Sequence, residues 1–80
     1  MRKRSKYQLY LQEVGHLVKK YALEVKNHAE NMEGEDRIFN RGIVFGYHAV
    51  LSLMQQEAAA FGIELEELRL DDINPDRDLL

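Results

Sequence analysis

The stretch Ile38-Phe39-Asn40-Arg41-Gly42-Ile43-Val44-Phe45-Gly46-Tyr47-His48-Ala49-Val50-Leu51-Ser52-Leu53-Met54 decides the fold. Wound as a helix at about 100° per residue, it is apolar around most of its circumference. With Val50 at the centre, Phe39, Ile43, Gly46, Tyr47, Leu53, Met54 and, further on, Phe61 share one face, which reads as the core stripe. Ile38, Phe45, Ala49 and Ala60 lie on one flank, Val44 and Leu51 on the other. The consistently polar strip is Arg41, His48, Ser52 and Gln55, which is expected to face solvent. A helix this apolar needs cover on most sides, and one partner helix cannot supply it.

Gly42 and Gly46 point the same way. Two glycines inside a helix cost about 2 kcal/mol together relative to alanine, and a spacing of four lets another helix approach closely. The expected interface is therefore Ile38, Gly42, Phe45, Gly46, Ala49, Val50 and Leu53.

Working outward, Ser5-Lys6-Tyr7-Gln8 has the form of a capping box, in which serine and glutamine each satisfy a free backbone amide. Apolar residues then recur at helical spacing through Tyr7, Tyr10, Leu11, Val14, Leu17, Val18, Tyr21, Val25, Ala29 and Met32, predicting a first helix over 6–32. Gly34 is expected to close it, and Asp36 to cap a second helix over 37–61, which Gly62 ends. A link of so few residues folds the two helices back on each other. Residues 63–80 form an acidic segment with a helical turn at 63–68 and a bend at Asn74-Pro75, ending in Leu79-Leu80, an apolar end that can fold back onto the hairpin. The expectation is one all-α domain over 1–80: an antiparallel two-helix hairpin that dimerises into a four-helix bundle, its C-terminal segment packed outside as a solvated end. A lone core is marginal in a chain of 80 residues without cysteine, so oligomerisation is the remaining common remedy.

Charge is uneven within a net −3: residues 1–20 are basic and residues 64–80 acidic. Such ends can pair with each other, and a basic arm can also meet nucleic acid. No apolar run follows the basic start, and 43–54, the longest apolar stretch, is far short of a membrane span. With no thiol to oxidise, a cytoplasmic location is expected.

Candidate chemistry is sparse. Glu13-Val14-Gly15-His16 has the Glu-x-x-His spacing of di-metal bundles, with Glu57 at the same level of the second helix. If Val14, Leu17 and Tyr21 face the core, however, Glu13 and His16 point to solvent. Ala58 to Leu68 has the rhythm of a helix-turn-helix, but Glu64, Glu66 and Glu67 would face a polyanion. Asp72, Asn74, Asp76 and Asp78 alternate like a calcium loop, yet Arg77 stands where that loop needs glycine. The reading is therefore non-enzymatic, with no cofactor or metal: a small interaction protein (adaptor, inhibitor or regulatory subunit) acting as a homodimer on a protein partner. The alternative is a nucleic-acid accessory protein using Arg2, Lys3, Arg4 and Lys6 beside Tyr7 and Tyr10. A di-metal four-helix bundle ranks third.

Overall fold

The computed structural model describes residues 5–80. It is helical, with no strand among the described residues, and two long helices pack against each other: α1, Lys6–Glu30, and α2, Gly34–Ala60. A single 3₁₀ turn, Leu65–Leu68, and a short helix α3, Pro75–Leu79, complete the chain.

Helix α1 starts as its sequence dictates. The Ser5 Oγ accepts from the Gln8 amide at 3.1 Å, and the Gln8 Oε1 accepts from the Ser5 amide at 3.0 Å. It ends two residues earlier than expected, at Glu30, with Asn31 as its cap. Gly34 does adopt a left-handed φ of 63°, but it opens α2 rather than closing α1. Asp36 therefore sits inside the first turn of α2, where its negative charge suits the positive helix end, and is not the cap. The corner is braced by Asn40, whose Nδ2 donates to the Asp36 carbonyl at 2.8 Å and contacts the Met32 sulfur at 3.0 Å.

Gly62 ends α2 as expected, with φ 68°. The Ile63 amide donates to the Ala58 carbonyl at 2.8 Å and the Gly62 amide to that of Ala59 at 3.2 Å, the Schellman pattern. The same pattern recurs at the end of the 3₁₀ turn, where Arg69 takes the left-handed position at φ 55° and the Leu70 amide reaches the Leu65 carbonyl at 3.0 Å. Two successive reversals thus lay residues 63–79 along one side of the hairpin.

The packing corrects the expected core face. On α2 the buried line is Val44, Leu51 and Ala58, at seven-residue intervals; of the Val50 stripe, Tyr47 and Met54 pack against this core, whereas Phe39, Ile43, Val50, Leu53 and Phe61 are exposed. On α1 the matching line is Gly15, Ala22 and Ala29; at Gly15 the missing side chain lets the Leu68 backbone come against the helix. Val18, Val25, Tyr47 and Met54 pack around it. The C-terminal segment is not a solvated end: Leu68, Leu70, Ile73 and Leu79 are all buried and complete the core. Leu51 and Leu70, one from α2 and one from the tail, are the largest side chains with no exposed surface.

Candidate functional site

The tail covers the side of the hairpin on which the polar strip of α2 lies. His48 Nε2 donates to Asp76 Oδ1 at 2.6 Å, and Gln55 Nε2 donates to the carbonyls of Leu70 and Ile73 at 3.1 and 2.9 Å. Both side chains were expected in solvent. They are instead the pegs on which the tail hangs, His48 through the Asp76 carboxylate and Gln55 through two backbone carbonyls. From α1, Lys19 Nζ donates to the Arg69 carbonyl at 3.0 Å and to Asp72 Oδ1 at 2.8 Å. That hydrogen bond, with the charge of Lys19 behind it, holds the Asp72 carboxyl below the usual carboxylate range.

The alternating acids of the tail have separate structural tasks. Asp72 binds Lys19 and Asp76 binds His48. Asn74 caps α3 by accepting from the Arg77 amide at 3.1 Å, and Asp78 accepts from the Asn74 amide at 2.9 Å and from Arg77. The Arg77 bond and the Asn74 amide together lower the Asp78 carboxyl.

The Glu13, His16 and Glu57 set does not assemble: no three His, Asp or Glu side chains among the described residues could hold a metal ion. His16 is half-buried rather than solvent-facing, close enough to Asp72 for its charge to act on that carboxyl. The helix-turn-helix rhythm resolves into the α2 cap and one 3₁₀ turn, whose Leu68 is buried. Of the basic arm, Arg2, Lys3 and Arg4 lie outside the described residues; Lys6 sits 5.6 Å from the Tyr7 ring centroid, a cation–π contact.

The opposite side of the hairpin is bare. About half a helical turn from His48 and Gln55 lie Phe39, Gly46 and Val50, and half a turn from Lys19 lie Tyr10, Leu17 and Tyr21. Ile38, Phe39, Phe45, Val50 and Leu53 are exposed by 74%, 70%, 63%, 47% and 57%. Ala49 is exposed as well, and a Cβ added at Gly42 or Gly46 would meet nothing within 4 Å. Apart from Phe45, whose ring centroid lies 6.0 Å from that of His48, the expected interface residues are thus gathered on one open face. From Ile38 to Met54 this arc of α2 carries no polar side chain, over about 25 Å of helix.

No family model matches this chain, and neither does any curated protein or solved structure compared with it. Its function is argued from the geometry alone. No helix among the described residues is long and apolar enough to cross a membrane, so the bare arc does not read as a bilayer span.

Proposed function

We propose that this is a non-enzymatic interaction protein, and that its bare face receives a second copy to build a four-helix bundle. The observation that carries the reading is the uncharged exposed arc from Ile38 to Met54. Monomers rarely leave contiguous apolar patches much above a few hundred Å² in water. The radius of gyration is 14.4 Å for these 80 residues, against about 12 Å for a compact chain of that length. That excess suits half of a larger assembly.

Charge favours a second copy over a different partner. The tail side is laced with ions, whereas the arc has none to be matched, so two copies meet face to face without like-charge contact. A stable interface takes about 800 Å² from each partner, about 13% of the 6165 Å² this chain exposes. Gly42 and Gly46 leave room on the same face for close helix approach. The tail side then points outward on both subunits, available for the protein that the dimer acts on.

Light scattering coupled to size exclusion tests this. The expected mass is twice 9.4 kDa at tens of micromolar, and Leu53→Glu should reduce it to the single-chain value while helicity is kept. A wild-type protein that runs as a single chain at that concentration overturns the proposal.

A further inference from the structure

The tail covers only part of the polar strip. It binds His48 and Gln55, and no hydrogen bond or ion pair among the described residues ties it to Arg41. There α1, α2 and α3 enclose a cavity of about 460 Å³. Its floor is apolar, formed by Ala29, Val44 and Leu79, each at most 4% exposed. Its rim carries Lys26, Arg37 and Arg41 together with Glu30, and Phe45 and Leu80 complete the wall.

The rim cations are not equivalent. Lys26 is taken by Glu30, one turn along α1, at 3.3 Å. Arg37 and Arg41 form no hydrogen bond or ion pair among the described residues, although the tail side is otherwise densely paired. They stand one turn apart on the same ridge of α2, so both planar guanidinium groups can be brought to bear on one anionic group. Two unpaired guanidinium groups above an apolar floor complement a molecule with a charged head and an apolar body. The volume lies within the range of small-molecule sites, about 300–1,000 Å³.

We infer that this cavity binds an amphipathic monocarboxylate, its head held between Arg37 and Arg41 and its aliphatic body against Ala29, Val44 and Leu79. Bidentate Arg–carboxylate pairing supplies the head contact, and displacement of water from the apolar floor supplies the body contact. The site borders the bare face at Phe45, which lines the cavity, while Val50 and Leu53 lie outside it.

Octanoate is the probe, titrated into the isotopically labelled full chain and followed by amide chemical shifts. Saturable shifts are expected at Ala29, Val44 and Leu79. Octanol, which lacks the charge, and acetate, which lacks the body, should each bind at least about tenfold more weakly. The double variant Arg37→Gln/Arg41→Gln should lose a similar factor with its helicity unchanged. The inference is overturned if octanol binds as well as octanoate, if the double variant binds like the parent, if no shift saturates, or if the shifts fall on Ile38, Val50 and Leu53 instead.

Discussion

The two sides of this hairpin invert what their hydropathy suggests. The side bearing His48, Gln55 and Lys19 is the more polar, and it is the covered one. The side bearing Phe39, Val50 and Leu53 is apolar, and none of the described residues covers it. Apolar periodicity marks where burial is needed, but not which element supplies it. Polar side chains are buried cheaply when the covering segment offers backbone carbonyls in return, as residues 69–73 do here.

The largest test of this contrast is Leu70→Ala. Leu70 has no exposed surface, so its truncation should cost about 2–5 kcal/mol. That is a large part of the roughly 4–12 kcal/mol typical of a chain this size. Leu53→Ala, on the bare side, should leave the stability of the isolated chain within about 0.5 kcal/mol. Urea denaturation of both at low concentration checks this. Equal losses would mean that the tail is not part of the core.

Two glycines sharpen the comparison. A Cβ on Gly15 would lie against the backbone carbonyl of Leu68, far inside contact distance, whereas one on Gly46 meets open space. Both substitutions to alanine gain up to about 1 kcal/mol of helix propensity. Gly15→Ala should nonetheless destabilise, by about 1–2 kcal/mol net, because it pushes the 3₁₀ turn off α1. Gly46→Ala should stabilise the single chain, and a smaller gain at concentrations where the dimer forms would place a neighbouring helix there. A stabilised Gly15→Ala protein would break the account of the tail.

The smallest effect expected is on acid stability. Asp72 and Asp78 have lowered folded-state values, so their ion pairs contribute above the unfolded carboxylate value of about 3.9. That contribution is lost as pH falls through the folded values. Both ion pairs are open to solvent, so the gain is small and should shrink in salt. Denaturation midpoints between pH 7 and 2 should fall less steeply for Asp72→Asn than for the parent.

The parts of this fold that could be read from sequence are local. Ser5 and Gln8 are three residues apart, and Gly62 ends its own helix, so nearby chemistry alone determines both. The hairpin follows from two long periodic segments with a short link. The core face of α2 could not be read this way, because an apolar arc wider than its partner has no unique centre. Val44 and Leu51 lie at one edge of that arc, and the tail decides the choice of edge. The tail itself was obscured by its charge: Leu68, Leu70, Ile73 and Leu79 are spaced too irregularly to announce a face, and the acids between them suggest solvent. The open face was suggested in the sequence by Gly42 and Gly46, which break the rules for a helix interior.

The link from Lys19 to Arg69 and Asp72 spans 50 and 53 residues of chain. The hairpin can form from neighbouring segments, but its cover arrives only when Leu70, Ile73 and Leu79 have been made. Closing a loop of that length carries an entropy cost that the contacts near the α1–α2 corner do not incur. The hairpin is therefore the local part of the fold and the cover its long-range part, and until the cover docks both sides of the hairpin stand open.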